Sequence, residues 1–215
     1  MLFDFAKLGE KDRYKILSFT VVPRPIAWVV TLSATGQMNA APFSFFNVMC
    51  SDPPIVTLGI SASGGGCKDT LRHIEDTGQF VVNLVPFDLV EQMNITAIEF
   101  GPEVDEVAEA GLTTVPSTFV KPGRIVGSPV ALECERFQVT HMESGQAIVL
   151  GKVLAVHVDD DAVLDADKCY IDAPKLHLVG RMNGQYLRTE KVFSIERISV
   201  AQWATRKEAQ TATNI

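Results

Sequence analysis

Short apolar runs, opened by proline and closed by turn residues, set the pattern of the first third of the chain. Pro25 precedes Ile26-Ala27-Trp28-Val29-Val30-Thr31-Leu32, which ends at Ser33-Ala34-Thr35-Gly36, and Pro53-Pro54 opens Ile55-Val56-Thr57-Leu58-Gly59-Ile60-Ser61. A third run is Phe80-Val81-Val82-Asn83-Leu84-Val85. Their β-branched and aromatic content, their length and their flanking breakers predict three buried strands. Between the second and third, Leu71 and Ile74 share one helical face, Asp69 or Thr70 stands where a cap is needed and Gly78 supplies a stop, so 68–77 is expected as a short helix. Asp88 and Glu91 have capping-box spacing ahead of Val90, Met93 and Ile95 and predict a second helix; Val104 to Ala110, followed by Gly111, predicts a third. Ser128 to Val158 then reads as two long strands joined at Glu143-Ser144-Gly145. Leu132 and Cys134 are in one alternation phase and Phe137 and Val139 in the other, which a bulge near Glu135-Arg136 would produce. Long strands, short helices and a bulge imply a mainly β fold, a closed or half-closed antiparallel barrel rather than βαβ units.

Neither a repeat, a low-complexity tract nor a linker divides the chain, so one domain is expected over residues 1–198, followed by a polar tail over 199–215 whose one large aromatic residue is Trp203. With 215 residues, 47% of them hydrophobic and 21% charged, a core of ordinary size forms without metal or disulfide support. Lys+Arg 19 against Asp+Glu 26 leaves a net charge of -7, the wrong sign for neutralising a nucleic-acid backbone. Every apolar run is broken well short of the roughly 20 residues that cross a bilayer. Asp4, Lys7, Glu10, Lys11 and Asp12 at the N-terminus do not resemble a secretory leader, so the cytoplasm is the expected location. Cys50, Cys67, Cys134 and Cys169 lack metal-binding spacing and are expected as free thiols.

Two segments carry chemistry. Ser61-Ala62-Ser63-Gly64-Gly65-Gly66-Cys67-Lys68-Asp69-Thr70 runs from a strand end through three glycines into a helix start. Glycines admit close approach of backbone N–H groups, a helix start offers unpaired donors, and Lys68 with the hydroxyls of Ser61, Ser63 and Thr70 adds charge and hydrogen bonds, a combination suited to a phosphate. It is not a Walker loop, because Asp69 follows the lysine. The alternative is a plain Gly-rich turn with Asp69 as a cap. In Met38-Asn39-Ala40-Ala41-Pro42-Phe43-Ser44-Phe45-Phe46-Asn47, amides, small residues and aromatics alternate. That mixture suits a flat ring held against apolar walls, and equally a core crossover with its phenylalanines packed inward. His73, His141, His157 and His177 are dispersed and are expected to be structural.

Together these segments resemble the flavin reductase-like family with the FMN-binding split barrel. The resemblance runs from about Tyr14 to about Ile198 and rests on Pro23-Arg24-Pro25-Ile26-Ala27-Trp28-Val29, Asn39-Ala40-Ala41-Pro42-Phe43-Ser44-Phe45-Phe46-Asn47, Asp52-Pro53-Pro54, Lys68-Asp69-Thr70 and Thr77-Gly78-Gln79-Phe80-Val81-Val82-Asn83, in that order. It implies an antiparallel split β-barrel of Greek-key type, paired as a homodimer with FMN near the subunit interface. By position it implies that Asn39, Ala40, Ala41, Pro42, Phe43, Ser44 and Phe45 line the isoalloxazine ring, largely through backbone groups. Ser61, Lys68 and Thr70, with Ser63 beside them, would hold the phosphate, and Arg24 and Arg181 are further contacts. Two departures stand out. Family members often carry an arginine a few positions ahead of Lys-Asp-Thr, where this chain has its Ser-Gly run, and often an asparagine at the position of His73.

The activity implied is that of an FMN-dependent oxidoreductase, passing reducing equivalents from NAD(P)H or another donor through the flavin to an acceptor such as free flavin or an oxygenase partner. No side chain is expected to act as an acid or base, since the cofactor carries the chemistry. The alternative is a split-barrel module that binds flavin or haem without turnover.

Overall fold

The computed structural model describes residues 1–61, 68–101, 103–189 and 191–213. The glycine triplet, Ser63 and Cys67 therefore lie outside the described residues. Seven strands form one antiparallel sheet: β2 (Ala27–Leu32), β3 (Met38–Phe43), β4 (Phe46–Ser51), β5 (Pro54–Ile60), β6 (Gln79–Leu84), β9 (Val130–His141) and β10 (Ala147–Val158), in the order β3-β2-β6-β9-β10-β5-β4. The chain runs as hairpins through β2 to β5, then crosses back so that β6 lies on the far side of β2, a Greek-key step. The outermost strands, β3 and β4, are consecutive in the chain, and in the link between them Phe45 extends the β4–β5 ladder, its carbonyl accepting the Gly59 N–H at 2.7 Å. The sheet curls almost closed and stays split beside β3. A methyl group at Gly59 would press on Phe45 Cβ at 3.0 Å, so glycine permits this approach.

Shorter elements decorate the barrel. A ribbon of β1 (Arg24–Pro25), β13 (Val179–Met182) and β14 (Gln185–Arg188) lies at one end, and β7 (Thr114–Val115) pairs with β8 (Arg124–Ile125), as β11 (Val163–Asp165) does with β12 (Tyr170–Ile171). The helices are α1 (Glu10–Thr20), α2 (Asp69–Thr77), α3 (Val90–Ile95), α4 (Glu106–Glu109) and α5 (Val200–Thr213). No helix among the described residues is long and apolar enough to cross a membrane.

The barrel interior is filled by Val29, Phe43, Leu58, Phe80, Val82 and Val149, while Trp28, Val30, Val81, Met93 and Val107 pack on the outer face under α3 and α4. Both faces of β2 and β6 are covered, which explains why these strands read as unbroken apolar runs rather than alternating ones. Trp28 and Asn83, buried here, are matched: Trp28 Nε1 donates to Thr96 Oγ1 at 2.9 Å, and Asn83 joins the Trp28 carbonyl to the Ile125 N–H.

The phase change in β9 is a bulge. Gly151 pairs with Arg136 and Leu150 with Gln138, leaving Phe137 unpaired, next to the predicted place. A side chain at Gly151 would collide with the Phe80 ring. Other expectations need correction. The N-cap of α2 is Lys68, which makes no side-chain cap, and Asp69 instead pairs with Arg72 at 2.5 Å. Helix α3 starts two residues after the predicted Asp88 cap, behind a 3-10 turn at Phe87–Leu89, and α4 is a single turn capped by Asp105. Helix α1 has no predicted counterpart, because Tyr14, Leu17 and Phe19 are all exposed and Ser18 is its one buried residue. The polar tail is also helical: Ser199 and Gln202 form a reciprocal cap, with Gln202 N–H donating to Ser199 Oγ and Ser199 N–H to Gln202 Oε1.

Candidate functional site

Among the described residues strand β3 pairs only with β2, leaving its other edge without a strand partner. On that edge Ala40 N–H donates to Glu106 Oε2 at 3.3 Å, and Pro42, two residues on, has no N–H to satisfy. Three cavities converge on Pro42. The first, about 300 Å³, is bounded by Asn39, Ala41, Lys68, Asp69, Thr70, Glu106 and the loop 96–100. The second, about 170 Å³, is lined by Tyr14, Phe43, Ser44, Phe45, Gly59, Ser61 and Lys68. The third, about 190 Å³, lies toward the β13–β14 hairpin with Arg181 and Tyr186. Together they form a crevice along the split, with Pro42 at its centre and Lys68 shared by two of its three parts.

Ten of the thirteen residues singled out from the sequence line this crevice: Asn39, Ala41, Pro42, Phe43, Ser44, Phe45, Ser61, Lys68, Thr70 and Arg181. Ala40 is fully buried and contributes its N–H, not a surface. Arg24 is also buried, with its guanidinium donating to the carbonyls of Ser18 at 2.6 Å and Val21 at 3.1 Å and to Ser44 Oγ at 3.3 Å. Burial, aided by the positive charge of Arg181, lowers its pKa. Arg24 thus ties the end of α1 to β1 and braces Ser44, while Tyr14 of α1 stacks on Phe45 with ring centroids 5.8 Å apart. Ser63 lies outside the described residues.

At the Lys68 end the first turn of α2 faces the crevice, so its N-terminal N–H groups and dipole favour an anion there. The Thr70 hydroxyl is buried and engaged at 3.0 Å with the side chain of Asn39, whose amide in the satisfied orientation donates to Glu106 Oε1 at 3.2 Å. Burial pushes the Glu106 carboxyl above its ordinary value against the pull of the Ala40 N–H, and Asp69 and Asp105 add to the upward shift. Glu106 therefore clamps the β3 edge at two points. It was missed in the sequence because α4 is one turn long and its contact with β3 spans 66 residues. Tyr14, Asn94 and Tyr186 were missed for the same reason. His73, where the family often has asparagine, is buried on α2 with Nδ1 3.1 Å from Thr31 Oγ1; burial, then the charge of Arg72, lowers its pKa.

The model of the flavin reductase-like domain matches residues 19–175. The chain belongs to the flavin reductase-like family. A protein of Deinococcus radiodurans is 39% identical over 215 residues, covering 97% of this chain and 94% of that protein. Among solved structures, the 2-nitrobenzoate 2-nitroreductase NbaA of Pseudomonas fluorescens superposes with a TM-score of 0.85 at 29% identity, covering 93% of this chain and 98% of NbaA. Nitrilotriacetate monooxygenase component B of Bacillus cereus gives 0.84 at 26% identity, with 91% and 98% covered. Membership of this family places the protein among flavin-dependent redox enzymes with a split-barrel fold.

Proposed function

We propose that this protein binds FMN along the β3 crevice as a homodimer and relays reducing equivalents from NAD(P)H or another donor to an acceptor. The carrying observation is the crevice itself: a cation and a helix start at one end, an open strand edge and apolar walls at its centre, and a second cation at the other end. FMN, when bound, supplies the electron transfer. The protein's residues bind and orient it. Lys68, the first turn of α2 and Ser61 meet the phosphate, while Ala41 to Phe45 offer backbone groups and aromatic walls to the ring system. Glu106 and Arg24 hold that strand edge from behind, one through Ala40 and Asn39, the other through Ser44. With the lining fixed before the ligand arrives, little ordering is left for binding to impose.

The likeness to a monooxygenase component B supports an oxygenase partner as acceptor, and the likeness to a nitroreductase supports a small aromatic acceptor. A homodimer is supported by the exposed apolar side chains of Val48, Met49, Phe137, Ile148 and Val156 on β4, β9 and β10. The test is spectroscopic. FMN titrated into the purified protein is expected to bind with saturation and to bleach on anaerobic addition of NADH or NADPH. A Soret band in place of flavin absorbance overturns the reading, and FMN that binds but is reduced by neither nicotinamide removes NAD(P)H as the donor.

A further inference from the structure

Of the crevice's three parts, the one beside the β13–β14 hairpin has chemistry of its own. Its walls are Tyr14, Ile26, Pro42, Met93, Ala97 and Tyr186, and its polar groups are Ser44, Asn94 and Arg181. Among the described residues no carboxylate lines it, in contrast to the Lys68 end, where Asp69, Glu99 and Glu106 all contribute. Arg181 makes no ion pair among the described residues, and the β1–β13 ladder sets another cation, Arg24, directly opposite it. Its guanidinium lies over the Tyr186 ring, 4.5 Å from the centroid, while Tyr186 Oη donates to Asn94 Oδ1 at 3.4 Å. The hairpin register places Arg181 directly opposite Tyr186, so the guanidinium is held in place by a fixed partner rather than waving in solvent. At about 190 Å³ the cavity falls below the roughly 300 Å³ at which pockets for drug-sized ligands begin, and admits about one ring.

We propose that this cavity is the acceptor subsite of the enzyme and that it takes a single-ring aromatic carboxylate, with Arg181 as the anchor for the carboxylate group. The inference rests on the reading that flavin occupies the centre of the crevice at Pro42. A planar guanidinium matches a carboxylate with two parallel hydrogen bonds, and flat apolar walls match the ring. A nicotinamide ring offers Arg181 no negative charge, being uncharged when reduced and cationic when oxidised, whereas a carboxylate does. Two like charges, Arg24 and Arg181, set opposite each other across the β1–β13 ladder favour an anionic guest on simple Coulombic grounds.

Isothermal titration of benzoate and of its neutral isostere benzamide, each into the protein with and without FMN, tests this. Benzoate is expected to bind at least about tenfold more tightly than benzamide, and Arg181→Gln to abolish that preference while Arg181→Lys retains part of it. In the FMN-loaded protein benzoate should also perturb the flavin absorbance band. Equal affinity for the two probes overturns the proposal, as does displacement of benzoate by pyrophosphate at equal concentration, which would mark a phosphate subsite. An Arg181→Gln loss that falls equally on FMN and benzoate overturns it too, by making Arg181 a cofactor contact. Failure of FMN to bind removes the flavin reading and with it the acceptor role, whereas the benzoate and benzamide titrations without FMN still decide whether the carboxylate site exists. Should Arg181→Gln fail to fold, the wild-type comparison and Arg181→Lys decide alone.

Discussion

In the proposed site Lys68 is the side chain that would carry the phosphate. It sits at the N-cap of α2, lines two of the three cavities and is half-buried, so its charge acts where water is partly excluded. A hydrogen bond to a charged group contributes about 1.5–3 kcal/mol, and each 1.4 kcal/mol is about tenfold in affinity. Lys68→Ala is therefore expected to weaken FMN by roughly tenfold or more and riboflavin, which has no phosphate, by less than about twofold. Fluorescence titration of both ligands checks this, and an equal loss for the two removes Lys68 from the phosphate. The residue was legible in the sequence, because it stands between a glycine triplet and a helix start. The true partners of its neighbours were not. Asp69 has the composition of a cap, yet its carboxylate turns to Arg72, and Thr70 turns to Asn39 across 31 residues.

Among elements, the segment after β7 shows how a connection without regular structure is held. Glu133, fully buried on β9, accepts the N–H groups of Thr118 at 2.8 Å, Phe119 at 2.5 Å and Val120 at 3.3 Å, and pairs with His157 Nε2 of β10 at 2.5 Å. Burial alone would raise its pKa; the N–H groups of Thr118 and Phe119 and the His157 ring outweigh burial and hold it below the ordinary 4.5. A carboxyl lowered in the folded state stabilises above the unfolded value, and that contribution is lost as pH falls through the folded one. Urea unfolding at pH 7 is expected to show Glu133→Gln less stable by roughly 3 kcal/mol. Below pH 4.5 the gap to wild type should narrow as pH drops. A gap that stays constant to pH 3 would show that the charge on Glu133 is not what holds the segment. In sequence Glu133 is one charged residue in an apolar strand, and nothing local names its donors.

On the scale of the whole molecule, cover is uneven. Helices α2, α3 and α4 and the 112–126 region pack on β2, β3 and β6, and residues 118–120 reach across to Glu133 of β9, while along β4, β9 and β10 Val48, Met49, Phe137, Ile148 and Val156 are exposed. Fully burying an aliphatic side chain of this size contributes about 1.5–3 kcal/mol, so covering these residues with a second copy offers a large gain. Light scattering on a sizing column is expected to give a dimer, and Val48→Glu, which places a charge on the edge strand, to give a monomer with weakened FMN binding. Wild-type protein that runs as a monomer removes the homodimer from the proposal.

Local chemistry settled much from the sequence by itself. Unbroken β-branched runs between prolines and turn residues made β2, β5 and β6, and the phase slip made the bulge at Phe137, because each depends on neighbours within a few positions. Tertiary structure alone decided that β3 would be an open edge, that Glu106 and Arg24 would brace it, and that Tyr14, Asn94, Arg181 and Tyr186 would gather beside Pro42. Those residues come from segments far apart in the chain. Their meeting follows from the path of a sheet that curls without quite closing, a property that no short window of sequence contains.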